Sequence, residues 1–252
     1  MRWTGPLESA ALLTVLPVPA RAAASTRGVL PWAPLIGLGL GGIAAGVALA
    51  GSRWVSPGTG AVLAVGVLAL LTRGLHLDGL ADTADGLGPL RGRERALEVM
   101  RRGDVGPFGV ITLVLVLLLQ VTCLATLLAG EDGWLPLWAA VVTSRLAMAR
   151  AGLPGMAVAE GSSLGRAVAG TVSRRWLLGC ALAAVALLAP ATGADPARAG
   201  ALAGAAAVGL LAAEVVSRRG RRRLGGVNGD VMGAMGETAT AAALLAAAAL
   251  WP

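Results

Sequence analysis

Predominantly apolar stretches of near-constant length alternate with short polar segments along the chain. Seven can be drawn, at roughly 31–50, 59–77, 107–129, 134–152, 175–191, 198–216 and 231–251. Each approaches the ~20 residues that a helix needs to cross a ~30 Å hydrocarbon core. The pattern predicts an all-α, polytopic membrane bundle of about seven transmembrane helices, built as a single membrane-embedded domain over residues 1–252. Ahead of the first span, an apolar run from Ala10 to Val18 is interrupted by Pro17 and Pro19, so residues 4–16 read as an interfacial or re-entrant helix. A cleaved signal peptide is disfavoured, because the basic segment before that run amounts to Arg2 alone. The Ala-rich stretch 198–216 reads equally as a buried helix.

Composition agrees with this pattern. Hydrophobic residues make up 56% of the chain and charged ones 14%, with a mean hydropathy of +0.74, against the ~25% charged residues of an ordinary soluble domain. All 21 basic residues are Arg, and the net charge is +7. Nucleic acid is not the expected partner, since the arginines lie between spans rather than interleaved with aromatics. They alternate by loop. Arg21 and Arg27, then Arg91, Arg93, Arg95, Arg101 and Arg102, then Arg166, Arg174 and Arg175, then Arg218, Arg219 and Arg221 to Arg223 fall on one side, and Arg53 and Arg198 on the other. By the positive-inside rule the first set faces the cytoplasm, with the amino terminus inside and the carboxyl terminus outside. Trp54, Trp134, Trp138 and Trp251 then fall near the outer boundary and Trp32 and Trp176 near the inner one, as an aromatic belt would have them. Cys123 and Cys180 sit in apolar stretches with no C-x-x-C spacing, which supports neither a disulfide framework nor a zinc site.

The chemistry concentrates between His76 and Gly88, H-L-D-G-L-A-D-T-A-D-G-L-G, which holds three of the chain's seven aspartates. On a helix, Asp78, Asp82 and Asp85 fall within a sector of about 60°. Like charges crowded on one face repel unless a cation sits between them, and a hard divalent ion taking oxygen ligands, Mg²⁺ above all, suits such a set. The bland alternative is a solvated acidic turn, but the uncharged stretch 60–71 immediately before it argues against that. The topology puts the cluster at the cytoplasmic mouth of the second span, where carboxylates are costly and point to function.

Three further polar islands follow. Residues 91–106 end in Arg101, Arg102 and Asp104, and arginines there can clamp phosphate oxygens or merely fix topology. A second loop carries Glu160, Ser162, Ser163 and Arg166 among glycines and reads as a flexible lid or binding loop. The third, G-G-V-N-G-D-V-M-G-A, carries Asn228 and Asp230; its glycines suit close approach to a ligand, a tight turn or a helix-packing face. His76 is the sole histidine, which excludes a His-rich metal site; it can act as base, as hydrogen-bond partner of a carboxylate, or in packing. Without any Lys there is no Walker-type phosphate loop.

Taken together, H-L-D-G-L-A-D-T-A-D-G-L at 76–87, E-R-A-L-E-V-M at 94–100, V-G-P-F-G-V at 105–110, Glu160-Gly161 and the glycine island at 225–234 resemble the adenosylcobinamide-GDP ribazoletransferase (cobalamin synthase) family. The resemblance implies a phosphotransferase of the bacterial cytoplasmic membrane. It would join adenosylcobinamide-GDP to α-ribazole or its 5′-phosphate, release GMP and use Mg²⁺, with its site facing the cytoplasm. Carried onto this chain, it implies Asp78, Asp82 and Asp85 as metal ligands and Asp82, Asp85 and Asp104 as catalytic groups. His76, Arg101, Arg102, Glu160, Asn228 and Asp230 would contact substrates. The chain departs from the family pattern at two points. Arg102-Gly103-Asp104 exchanges the expected acidic and basic positions, and Asn228 stands where the family usually carries Thr.

Two other classes are weighed. A CDP-alcohol phosphotransferase also gathers aspartates around Mg²⁺ at a membrane surface, but its D-G-x-x-A-R step is missing here. A cation transporter would place charges near the bilayer midplane and often shows internal repeats; no convincing repeat is evident, and the aspartates lie at one mouth.

Overall fold

The computed structural model describes residues 4–21 and 23–252; Arg2, and with it the basic segment weighed above, lies outside the described residues. Among the described residues eleven α-helices follow in order: α1 Gly5–Leu13, α2 Val29–Trp54, α3 Pro57–Leu71, α4 Leu75–Leu87, α5 Arg93–Met100, α6 Pro107–Leu128, α7 Trp134–Ala149, α8 Ser163–Val168, α9 Arg174–Leu188, α10 Pro196–Leu224 and α11 Gly229–Leu250. Among the described residues the only extended pairing is a single parallel bridge between Val158 and Val227. The all-α membrane class stands.

The count of spans changes. Five helices are long and apolar enough to cross a bilayer (α2, α6, α9 with the turn after it, α10 and α11), and a sixth arises if α3 and α4 count together. The stretch expected to span 59–77 breaks at Thr72-Arg73-Gly74, where Arg73 and Gly74 adopt positive φ (55° and 65°). The chain then turns by 89° into α4. With 13 residues, α4 is ~20 Å long and too short to cross by itself. The aspartate motif therefore occupies a separate helix lying across the end of α3 rather than the mouth of a continuous span. Helix α7, with 16 residues, also falls short of a full crossing by length alone. The basic run 218–223, expected as a loop, forms the last turns of α10.

Helix α11 is the most buried of the candidate spans and packs against α4, α6, α7 and α10. Small residues make this possible: Gly233, Ala234, Gly236, Ala239, Ala243 and Ala247 are all buried on it, and in a membrane close backbone approach replaces the hydrophobic drive for helix association. Helix α1 folds onto α2, where the Glu8 carboxylate accepts from the Gly28 amide (2.7 Å) and the Ser9 hydroxyl donates to the Val29 carbonyl (2.8 Å). Leu, Ile and Val side chains of α6 and α9 stay exposed, among them Ile111, Leu115, Leu118, Leu178 and Leu182, as a lipid-facing surface requires. Trp138 departs from the expected belt, lying against Gly41 and donating its indole N–H to the Leu38 carbonyl at 2.9 Å.

Candidate functional site

Glycine fixes how the aspartate helix sits. A Cβ at Gly79 would stand 2.8 Å from the Asp230 carbonyl oxygen and 2.9 Å from its Cα, and a Cβ at Gly233 would stand 3.1 Å from the His76 backbone. Helix α4 and the start of α11 thus touch backbone to backbone, which brings Asp78 and Asp82 beside Asp230. Asn228 caps α11, its Oδ1 accepting from the Val231 amide (2.9 Å). Its Nδ2 donates to Asp230 Oδ2 (2.8 Å), so this amide orients the carboxylate two residues on.

The three motif aspartates have different surroundings. Asp78 is exposed, and Asp82 and Asp85 are buried. Both oxygens of Asp85 are engaged: Oδ2 accepts from the Gly106 amide (2.7 Å) and Oδ1 from the Gly109 amide (3.0 Å), at the start of α6. A carboxylate there satisfies two orphan donors and meets the positive end of the helix dipole. Asp82 has no such partner. Burial first, then the charges of Asp78, Asp230, Asp85 and Asp104, raise its pKa from 3.8 to about 7. That four carboxylates act on a fifth, buried one is the electrostatic signature of a site that wants a cation. Among the described residues, no group of three or more His, Cys, Asp or Glu side chains is placed to hold a metal ion. Mg²⁺ does not need one, because it commonly takes one or two carboxylates and completes its shell with water and substrate phosphate. The donor set, all oxygen and strongly anionic, fits that mode.

Beside the aspartates opens a cavity of about 320 Å³. Arg101, Glu160, Ser162, Asn228 and Asp230 are among its polar residues, and His76 lines it with Leu30, Met148 and Met232. The Glu160 loop is held in place by the bridge to the glycine island, through Ala159 N to Val227 O (3.2 Å) and Val227 N to Ala157 O (2.9 Å). The Ser162 hydroxyl caps α8. Of the two readings of this loop, flexible lid or binding loop, the pinning speaks against the first, and Glu160 and Ser162 on the cavity wall agree with the second. Arg101 lies against Gly161, within 3.4 Å of a Cβ built there. Arg102 instead pairs with Glu98 at 2.9 Å on the exposed face of α5 and does not reach the cavity. Asp104 is exposed in the connection to α6. Most of the basic residues at the end of α10 hold the scaffold: Arg219 donates to the Leu87 carbonyl at the end of α4, Arg223 to the Pro89 and Arg91 carbonyls, and Arg218 and Arg221 pair with Glu214.

With this geometry in place, comparison with known proteins is decisive. Residues 6–248 match the family model described as cobalamin-5-phosphate synthase. The chain belongs to that family. It is 42% identical over 259 residues to the adenosylcobinamide-GDP ribazoletransferase of Frankia casuarinae, covering 96% of this chain and 93% of the relative. It is 39% identical over 244 residues to that of Chlorobaculum parvum (95% and 92%), and 36% identical over 250 residues to that of Escherichia coli O17:K52:H18 (93% and 95%). No solved structure matches the chain. Its family members are transferases of cobalamin synthesis, as the resemblance of the aspartate and glycine islands implied.

The sequence reading missed one constellation. Gln120 on α6, Arg145 on α7 and Glu237 on α11 line a cavity of about 20 Å³ together with Thr72 and Thr240. Gln120 Nε2 donates to Glu237 Oε2 at 2.9 Å, and Arg145, itself buried, donates to the Ser144 hydroxyl at 2.8 Å. The signal was present, since Arg145 and Glu237 are charges inside otherwise apolar spans, and intramembrane charges mark function or a structural pair.

Proposed function

We propose that this chain is an adenosylcobinamide-GDP ribazoletransferase. It joins adenosylcobinamide-GDP to α-ribazole or its 5′-phosphate, yielding adenosylcobalamin or its 5′-phosphate and GMP. The observation that carries the reading is the convergence of Asp78 and Asp82 on α4 with Asp230 on α11 beside a nucleoside-sized cavity, in a family whose relatives bear that name. Asp78 and Asp82, with Asp230 beside them, would hold Mg²⁺ against the diphosphate, two carboxylates serving as direct ligands, and Asp85 would hold α4 against α6. The metal, when bound, neutralises phosphate charge and stabilises the leaving oxygen. Arg101 at the cavity edge offers its guanidinium to phosphate oxygens. The ribose hydroxyl of ribazole forms the new bond to the phosphorus nearer the corrinoid. The bridging P–O bond breaks in line, its electron pair leaves with GMP, and the hydroxyl proton passes to a carboxylate of the cluster or to solvent.

Positive-inside asymmetry supports placing this face toward the cytoplasm of the bacterial inner membrane, where nucleotides are available. The test is release of GMP from adenosylcobinamide-GDP by membranes containing the chain, with and without α-ribazole and Mg²⁺. Release that needs both supports the reading. Cation flux without turnover would support a transporter, and turnover of a CDP-alcohol would support the phospholipid enzyme.

A further inference from the structure

The 320 Å³ cavity has a chemistry that a diphosphate and a metal leave unused. Below its polar edge the lining is apolar, with Leu30, Leu97, Met100, Met148, Val168 and Met232 facing the space. His76 lines the same cavity and is buried, and neither of its ring nitrogens has a hydrogen-bond partner. Unpaired buried polar atoms are rare in folded proteins and ask for a ligand or a water. The volume is of the order of a small-molecule pocket (~300–1,000 Å³), far too small for a corrin ring. Of the two nucleosides in the reaction, guanosine carries a carbonyl, a ring N–H and an amino group on its base, of which His76 alone among the buried lining residues could pair only one. The dimethylbenzimidazole of ribazole is nearly apolar and has one free ring nitrogen.

We propose that this cavity receives the benzimidazole base of the incoming ribazole, with Met148, Met232 and their aliphatic neighbours around the ring and His76 hydrogen-bonded to its free nitrogen. The proposal rests on the function assigned above. It makes His76 a specificity-determining residue. Methionine suits the role, because its flexible, polarisable side chain adapts to a flat ring. Since Asn228 and Asp230 line the same cavity, a base seated there leaves its ribose beside the carboxylate cluster, where the attacking hydroxyl is needed.

The test uses the full-length chain purified in detergent. Binding of free α-ribazole is followed by benzimidazole fluorescence without Mg²⁺ or corrinoid, and KM is measured for each substrate in turnover. His76→Leu should raise both Kd and KM for α-ribazole about tenfold, the equivalent of one net hydrogen bond. KM for adenosylcobinamide-GDP should stay within about twofold, and His76→Gln should recover most of the loss. Met232→Phe, which fills the cavity while keeping the histidine in the chain, should likewise weaken ribazole alone, so that a misfolded His76 variant does not decide the matter. A rise confined to KM for adenosylcobinamide-GDP in the Met232 variant, or displacement of ribazole by guanosine, overturns the proposal while leaving the transferase activity standing. Wild-type protein that binds ribazole but releases no GMP would instead remove the function on which the proposal rests, and the proposal with it.

Discussion

Replacing Gly79 by Ala tests whether backbone contact between α4 and α11 sets the site. The new methyl would stand 2.8 Å from the Asp230 carbonyl oxygen and 2.9 Å from its Cα, where ordinary contact begins at 3.4 Å. Both neighbours are backbone atoms, so no side chain can swing aside, and the helices must part by about 0.6 Å or tilt. Overpacking of this kind costs roughly 1–3 kcal/mol, which in a chain of this size lowers Tm by roughly 2–10 °C. The separation acts directly on the distance from Asp78 and Asp82 to Asp230, and a misplacement of ~1 Å typically costs about 10²-fold in rate. A loss of between 10- and 100-fold in GMP release is therefore expected. Helix propensity alone predicts the opposite, because Ala stabilises a helix interior relative to Gly by ~1 kcal/mol. Gly66→Ala on α3, where a Cβ meets nothing within 4 Å, is the control and should leave both turnover and Tm unharmed. Turnover by detergent-solubilised protein and a thermal melt measure the two quantities. A Gly79→Ala protein that melts higher and turns over normally would refute the reasoning.

Asp85→Asn should lower Tm, by roughly 1–2 kcal/mol of lost capping, because one of the two amides that Asp85 now accepts from (Gly106 and Gly109) loses its acceptor; the Mg²⁺ concentration for half-maximal rate should move less than twofold, and a tenfold increase would make Asp85 a metal ligand after all. Arg145→Met removes the cation that shares a cavity with the half-buried Glu237 carboxylate and should cost roughly 1–3 kcal/mol, whereas Arg145→Met with Glu237→Gln should recover much of it; equal melts for the single and double variants would deny that the two charges depend on each other. Because Asp82 ionises at about 7 when folded against 3.8 unfolded, the folded state holds the extra proton between those values. Metal-free protein should therefore lose stability as pH rises from about 4 to about 7. Added Mg²⁺ should raise Tm more at pH 8 than at pH 5, since the metal competes with that proton; a larger effect at pH 5 would contradict the assignment.

The membrane class and the site were legible in the sequence for different reasons. Long apolar stretches at 31–50, 107–129 and 231–251 reappear as α2, α6 and α11, because an apolar stretch of that length has few alternatives in lipid. The break between α3 and α4 was not legible: Thr72-Arg73-Gly74 looks like the polar end of a span, and only the positive φ values at Arg73 and Gly74 reveal a corner. Residue identity and helical spacing were enough to group Asp78, Asp82 and Asp85 on one helix. They could not say that Asp85 is occupied by the amides of Gly106 and Gly109, since that pairing depends on where α6 starts in space. The glycine island suits a ligand approach, a tight turn or a helix-packing face; Gly225, at φ 81° after α10, makes the turn, and Gly233 against the His76 backbone shows the packing face. Arg101 and Arg102, adjacent and chemically identical, part company because Glu98 stands one turn before Arg102 on α5. Arg145 and Glu237 went unread because each lies alone in its own span, and their shared cavity joins α7 to α11 across a long stretch of chain.

The most direct test of the central claim is the rate of GMP release from adenosylcobinamide-GDP and α-ribazole by Asp82→Asn and wild-type protein, titrated with Mg²⁺ over the same range. The amide keeps the size of the buried side chain and removes the charge that a hard cation requires. The account predicts Mg²⁺-dependent release by the wild type and, at every Mg²⁺ concentration, a loss of at least about 10³-fold in the variant, with its insertion and melt unimpaired. Near-normal release by Asp82→Asn would contradict it.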